Sequence, residues 1–329
     1  MPRALVTGAA GFIGSHVAKS LLNEGIKVVA LDDLSGGFRE NVPRAAKWVR
    51  GSVTDYELLE MLFETERFDF VFHLAAYAAE GLSHFIRRYN YETNLIGSVN
   101  LINLSILHQV KCFVFTSSIA VYGANQVPMT EDLIPRPEDP YGVSKYAVEL
   151  DLEAAQRQFG LNYIIFRPHN VYGEHQNTGD KYRNVVGIFM NQVLAGQPLT
   201  IFGDGEQTRA FSYIDDVAPI ITRSVFNPDA YGQVFNVGGD RPCTVNELAR
   251  AVSEVMGVSP RIIHLPARNE VKHAFSSHEK VDQFFDVPSP TSLRDGLTKM
   301  AKWVRQVGSR KTKEFAAIEI PQGLPEGWR

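Results

Sequence analysis

Tyr141 and Lys145 stand four residues apart in the run Pro140-Tyr-Gly-Val-Ser-Lys145, and on a helix that spacing sets both on one face, one turn apart. A phenol beside an ammonium is a proton-transfer pair. A third polar group comes from the apolar run Cys112–Thr116, which ends in Thr116-Ser117-Ser118 and so delivers hydroxyls from the tip of a strand. Drawing a tyrosine from about 10 towards neutral takes about 4 kcal/mol of differential interaction. One close, partly desolvated cation together with a positively charged ring could supply it. Alone, a Tyr-x-x-x-Lys also fits a solvated helix face, so its meaning depends on what lies beside it.

Gly8-Ala-Ala-Gly11-Phe-Ile-Gly14 begins where the apolar run Ala4-Leu5-Val6 stops and leads into a helical pattern of His16, Val17, Leu21 and Leu22. Strand, glycines, helix is the geometry that offers free backbone N–H groups to a pyrophosphate. Glycines there also suit a merely tight turn. The deciding residue is Asp32, at the end of a second apolar run, Val28-Val29-Ala30-Leu31. A carboxylate at that strand tip accepts from adenosine ribose hydroxyls and repels a 2′-phosphate. With Asp33 beside it and no Arg or Lys before Arg39, the sequence favours NAD over NADP.

Positioning these residues requires a layered frame. Strand-length apolar runs at Ala4–Thr7, Lys27–Leu31, Trp48–Arg50, Phe70–His73, Cys112–Thr116 and Tyr163–Arg167 alternate with helix-like segments at Ser15–Asn23, Asp55–Glu64, Tyr91–His108 and Lys145–Phe159. That alternation predicts an α/β fold, a doubly wound parallel sheet of Rossmann type with helices on both faces. After about residue 170 it weakens. A polar loop at 173–180, a helix at Val185–Leu194 and a strand at Leu199–Phe202 read as a smaller α/β lobe, while Ile214–Val225 and Val234–Val237 return to the first. The expected division is a cofactor domain of residues 1–170 plus about 213–240, and a substrate domain of 171–212 and 241–329. The tail from Ser309 mixes charges with turn-forming residues, and no structure is assigned to it.

Bulk properties narrow the partners. The 329 residues, 44% of them hydrophobic, suit two domains with a substantial core. A formal net charge of −4 without a long basic run argues against a nucleic-acid surface. The two cysteines, Cys112 and Cys243, fit no metal-ligand spacing and read as reduced thiols, so no metal is expected. The sequence shows no leader pattern and no apolar stretch near the roughly 20 residues that span a bilayer, so a cytoplasmic protein without a membrane partner is expected.

The chemistry-bearing motifs together resemble the extended short-chain dehydrogenase/reductase family, in its nucleotide-sugar epimerase and dehydratase branch. They are Thr7-Gly-Ala-Ala-Gly-Phe-Ile-Gly14, His73-Leu-Ala-Ala76, Ser117-Ser-Ile-Ala-Val-Tyr-Gly123, Pro140-Tyr-Gly-Val-Ser-Lys145, Arg167-Pro-His-Asn-Val-Tyr-Gly173 and Phe202-Gly-Asp-Gly205, spread over nearly the whole chain. Ile119 stands where sugar dehydratases and decarboxylases carry an acid, and Ala120 where a GDP-mannose 3,5-epimerase carries a cysteine, which leaves UDP-glucose 4-epimerases and relatives acting on N-acetyl or uronic acid sugars. The resemblance implies that Tyr141 takes the proton from the sugar 4-hydroxyl as hydride passes to NAD, that Ser118 bonds the same oxygen, and that Lys145 binds the nicotinamide ribose and holds Tyr141 ionised. Cofactor contacts are expected from Gly8, Gly11, Phe12, Ile13, Gly14, Asp32, Asp33, Ser52, Val53, Leu74, Ala75, Ala76, Thr93, Thr116, Tyr141 and Lys145.

On the substrate side the resemblance assigns Asn170 to the diphosphate, Thr200 and Phe202 to the uracil, Arg209 and Arg268 to phosphate oxygens, and Glu270 to the uridine ribose. Arg209 or Arg268 could instead serve only in an ion pair. Ala78 and Ser52 replace a lysine and an aspartate frequent in the family, which implies weaker hold on NAD. His169 replaces an aromatic and is expected to pack against the nicotinamide rather than to transfer a proton. Ala274 aligns with a bulky tyrosine of glucose-restricted enzymes, so room is expected at the sugar 2-position. A homodimer is implied through the helices of Tyr91–His108 and Lys145–Phe159. Competing readings are a nucleotide-sugar reductase or synthase with an exchangeable cofactor, and a non-catalytic NAD-sensing protein.

Overall fold

The computed structural model describes residues 1–268, 270–287, 289–310, 315, 318–325 and 328. Six of its strands are β1 (Arg3–Thr7), β2 (Lys27–Asp32), β3 (Lys47–Arg50), β4 (Phe70–His73), β5 (Cys112–Thr116) and β6 (Tyr163–Pro168). With the later strand Gln233–Val237 they form one sheet in the order Gln233–Val237, β6, β5, β4, β1, β2, β3, and every pairing is parallel. Every residue of β4, β5 and β6 is buried, as a strand covered on both faces requires, so these segments read as unbroken apolar runs. Alternate side chains feed two cores. Ala4 and Val6 join Val17, Leu21 and Val217 on one face, whereas Leu5 joins Phe63, Leu101 and Leu152 on the other.

The strand order reverses between β1 and β4. Such a switch point opens a crevice at the carboxyl ends of the strands, where the loops after β1 and β4 part to opposite faces. Leu199–Phe202 pairs with Ile262–Leu265, and Thr208–Ala210 lies between Pro242–Thr244 and His273–Ala274. Of these, Leu199–Phe202 and Thr208–Ala210 line the opposite wall of the crevice, with the first turns of helices Val185–Leu194 and Val245–Val255. Among the described residues no helix is long and apolar enough to cross a membrane.

Two helices differ from their sequence reading. The expected helix at Lys145–Phe159 starts at Pro140, because Asp139 caps it by accepting from the Gly142 N–H (2.9 Å) and Pro140 suits the first turn. Tyr91–His108 is not one helix. A short helix Arg87–Tyr91 passes through a widened π turn, Glu92–Ile96, into helix Gly97–Leu107. The buried Asn94 sits in that turn, accepts from the Tyr77 N–H (2.8 Å) and donates to Asn90 (2.8 Å), fastening the helix to the loop after β4. These elements leave Ile96, Val143 and Leu150 exposed.

Part of the tail is placed. Glu319 accepts from the backbone N–H groups of Arg88 and Tyr89 (2.8 Å each), and Trp328 is buried against Tyr182 and Phe85. Residues 311–314, 316–317, 326–327 and 329 of the tail lie outside the described residues.

Candidate active site

The loop after β1 turns at Gly8, whose φ of +68° lies in the left-handed region. A Cβ on Gly8 would lie 2.7 Å from the Ala75 nitrogen, and one on Gly14 would lie 2.0 Å from the Gly8 oxygen. The glycines therefore let the turn, the loop after β4 and the start of helix Phe12–Asn23 approach at backbone distance. No side chain caps that helix, which leaves its first N–H groups directed at a cleft of about 460 Å³. The Asp32 carboxylate accepts from the N–H groups of Ala10 (3.0 Å) and Leu34 (2.7 Å), and burial raises its pKa. It thus braces the glycine loop as well as facing the cleft. Phe12, Ile13, Asp33, Ser52, Val53, Leu74, Ala75, Ala76 and Thr93 line the same cleft. A bare backbone turn, uncapped amides and a carboxylate at the second strand tip fit an extended dinucleotide without a 2′-phosphate.

Ser118, Tyr141 and Lys145 converge on the wall formed by β5 and helix Pro140–Phe159, with Thr116 beneath them. Lys145 donates to the Thr116 carbonyl (2.8 Å) and lies over the Phe115 ring at 4.6 Å, and burial pushes its pKa down to about 7 while Glu149 opposes the shift. Below it, Arg167 and Glu149 form a buried ion pair, and Ser117 donates to Glu149. The Thr116 hydroxyl is buried without a hydrogen-bond partner among the described residues, facing the site where a ribose would lie.

Burial pushes the Tyr141 pKa up, the hydrogen bond from Ser118 pulls it down, and Glu80 and Asp139 raise it further. The cation that acts on the phenol is Arg183; the Lys145 ammonium is turned to Thr116 and lies 5.8 Å from the centre of the tyrosine ring. Against burial, Ser118 and the Arg183 guanidinium are the groups that favour the phenolate here.

Across the cleft stand Asn170, Thr200, Phe202, Arg209, Arg268 and Glu270. Asn170 has φ of +40°, a conformation asparagine tolerates, and donates to the Ala210 carbonyl (3.2 Å). Arg209 donates to the carbonyls of Thr208, Lys272 and Val271, which fixes its plane. Glu270 lies between Arg209 (3.5 Å) and Arg268 (3.2 Å), and Arg268 covers the Phe202 ring at 4.7 Å. Both guanidiniums are thus in an ion pair and on the cleft wall at once. The Thr200 hydroxyl pairs with Gln192 (2.8 Å).

Two residues fall elsewhere. Ala274 lies off the main cleft, in an annex of about 60 Å³ with Ile119, Ala120 and Met129. His169, expected against the nicotinamide, is buried behind the wall: its Nδ1 meets the Ala210 carbonyl (3.1 Å) and its Nε2 meets His278 (3.0 Å), because β6 has already turned it away from the cleft. Sequence reasoning missed Glu80, Tyr77, Gln176, Tyr182 and Arg183 on the cleft wall. Arg183 pairs with Asp180 (2.7 Å) and covers Tyr77 at 5.1 Å. These residues stand on loops without a periodic pattern; the one signal available was an acid, Glu80, directly after the apolar stretch that leaves β4.

The chain is similar over 304 residues, at 32% identity, to a putative UDP-glucose 4-epimerase of Methanocaldococcus jannaschii, covering 92% of this chain and 98% of that one. Its structure is similar to a UDP-glucose 4-epimerase of Thermotoga maritima solved with UDP-glucose (TM-score 0.87, 36% identity, 93% of this chain and 99% of that one). It is also similar to a UDP-glucuronic acid 4-epimerase of Bacillus cereus solved with UDP-glucuronic acid and NAD (TM-score 0.85, 28% identity, 93% and 99%). Residues 4–238 match the model of the NAD dependent epimerase/dehydratase family. A glycine loop shaped for a dinucleotide, a Ser-Tyr-Lys wall at the strand ends and this match over most of the chain agree: the protein belongs to the NAD dependent epimerase/dehydratase family.

Proposed function

We propose that this enzyme inverts C4 of a UDP-hexose through a transient 4-keto sugar. The observation that carries the reading is the facing of two walls across one cleft, Ser118 and Tyr141 on one side and Arg209 with Arg268 on the other, with Ile119 rather than an acid after the reactive serine. The glycine loop, Asp32 and Lys145 would hold NAD, which would supply the reversible hydride chemistry at C4. Tyr141, as its phenolate, takes the proton of the sugar 4-hydroxyl, relayed through Ser118, which bonds both oxygens. Lys145, anchored at Thr116, orients the ribose. Arg209 and Arg268 hold the diphosphate through paired charge-assisted bonds, Asn170 adds a donor, and Glu270 accepts from the uridine ribose. Phe202 and Thr200 flank the uracil. Ala274 leaves the annex open towards the sugar, which supports use of N-acetyl forms. A second copy of the chain on the face carrying Ile96, Val143 and Leu150 belongs to the same reading.

The test is incubation of purified protein with UDP-glucose, UDP-N-acetylglucosamine and UDP-glucuronate without added cofactor, with 4-epimers resolved by NMR. Accumulation of a 4-epimer is expected. Stoichiometric consumption of NADH or NADPH instead would make the protein a reductase.

A further inference from the structure

We propose that Asp240, His278 and His169 form a positioning relay behind the substrate wall, in which His278 carries both ring protons and His169 passes the constraint to the Ala210 carbonyl, next to Arg209. The effect on the substrate rests on the proposed UDP-sugar reading; the protonation of His278 does not.

Both histidines are buried, and neither lines the main cleft. His169 follows β6, Asp240 precedes the strand Pro242–Thr244, and His278 follows the strand His273–Ala274. Those two strands flank Thr208–Ala210, which carries Arg209. The relay therefore ties the short sheet of the substrate wall to the end of β6. Gly238 keeps the seat open, since a Cβ there would lie 2.8 Å from His169 Nε2.

The proton on each ring nitrogen follows from its partner. A carbonyl only accepts, so the Ala210 oxygen, 3.1 Å from His169 Nδ1, requires a proton on that nitrogen. Pro242 stands opposite Ala210 in the ladder and has no N–H to offer it. A neutral His169 with its proton on Nδ1 leaves a lone pair on Nε2, 3.0 Å from His278 Nε2. At the far end the Asp240 carboxylate accepts from His278 Nδ1, and that bond holds the Asp240 pKa down. Were His278 neutral, its Nε2 would set a second lone pair against the first. A proton on His278 Nε2 satisfies every contact at once. The Ser276 hydroxyl, 3.3 Å from that nitrogen, can donate or accept and so suits either state. Burial pushes the His169 pKa down to about 3 and the neighbouring His278 lowers it too, so the shared proton belongs to His278. Asp240 is the carboxylate that acts on both rings, and its exposed side chain opens the relay to solvent.

Without that proton no arrangement satisfies both ends. Either His169 turns its proton towards His278 and sets a lone pair against the Ala210 carbonyl, or the rings part. Asn170 donates to the same carbonyl (3.2 Å) and Arg209 is the next residue, so both proposed diphosphate contacts shift together. The relay is intact at lower pH and is lost as pH rises. It controls substrate affinity rather than the chemical step.

The test joins ring ¹⁵N NMR with calorimetric titration of UDP, on the wild-type holoenzyme and on Asp240→Asn. At about pH 7.5 exposed histidines are neutral. One ring with both nitrogens protonated should remain in the wild type and be lost in Asp240→Asn. The variant should bind UDP about fivefold more weakly than the wild type at that pH, the worth of one hydrogen bond. The ratio of the two dissociation constants should fall towards one by about pH 6, where the ring regains its proton; taking the ratio cancels the titration of UDP itself. Removal of a surface carboxylate by itself would strengthen binding of an anion, so the expected sign is opposite to a bulk charge effect. Neutral rings throughout in the wild type at about pH 7.5 overturn the relay. A persistent imidazolium with a ratio that does not change with pH overturns its hold on the substrate wall. No binding of UDP by the wild type overturns the UDP-sugar reading and the relay's role in it, while the ring signals still decide the proton. The wild-type spectrum decides that point even where the variant fails to fold.

Discussion

The two walls of the cleft are built by different means. The cofactor wall is largely backbone: Gly8 and Gly14 permit contacts that a single methyl would block, and Asp32 spends two hydrogen bonds bracing the turn. The substrate wall is side chain. Arg209, Arg268 and Glu270 hold one another in place on short strands and loops gathered from distant parts of the sequence. Backbone shape specifies a common ligand with little tolerance, whereas a mutually paired cluster can be retuned one residue at a time. On the proposed reading, the rigid wall fixes the cofactor and the adjustable one chooses the sugar.

The sharpest way to break this contrast is Gly14→Ala. The new methyl would lie 2.0 Å from the Gly8 oxygen, so the turn must open. A loss of about 3 kcal/mol in stability is expected, with loss of bound dinucleotide; thermal unfolding and the absorbance of released cofactor would show both. An unchanged Tm with full cofactor content would mean that the loop is softer than its contacts imply.

Lys145→Met comes next. Lys145 titrates at about 7 in the folded protein against 10.5 as the ordinary value. Below about pH 7 both folded and unfolded chains bind the proton, and the wild type bears the whole penalty of burying it. Between about 7 and 10.5 the unfolded chain binds more protons, so stability rises with pH. The methionine variant should therefore be more stable by about 2 kcal/mol at pH 6, with the gain fading by pH 10, and inactive throughout. Denaturant unfolding at several pH values checks the trend; a pH-independent difference would remove the buried charge from the explanation.

The smallest effect belongs to the adjustable wall. Arg209→Lys keeps the charge but cannot reproduce three carbonyl bonds and the contact with Glu270. Steady-state kinetics should give a KM about tenfold higher with kcat nearly unchanged. A fall in kcat at constant KM would move Arg209 from binding to chemistry.

The same contrast decides what could be read in the sequence. The parallel sheet was visible because strands buried on both faces must be apolar throughout, as β4 and β5 are, and the glycine loop because no other residue fits Gly8 or Gly14. The convergence of Ser118, Tyr141 and Lys145 followed from a strand end and a helical spacing. Their electrostatics did not, because burial of Tyr141 and the turn of Lys145 towards Thr116 depend on packing across elements. Glu80 and Arg183 were missed because loop conformation, not a periodic pattern, brings them to the cleft. His169 sits in a motif, yet the twist at the end of β6 turns it to His278.

The stretch carrying Glu319 and Trp328 bears on the order in which the molecule is completed. Glu319 caps the helix at Arg88 and Tyr89 across more than 200 residues, and Trp328 lies within 5.8 Å of Arg268 and against Gly81, next to Glu80. Contacts of such separation form late, because the intervening chain must be confined before they contribute. Because Glu319 and Trp328 join the sheet's loops only across such separations, the wall beside Arg268 settles after the sheet that carries the glycine loop.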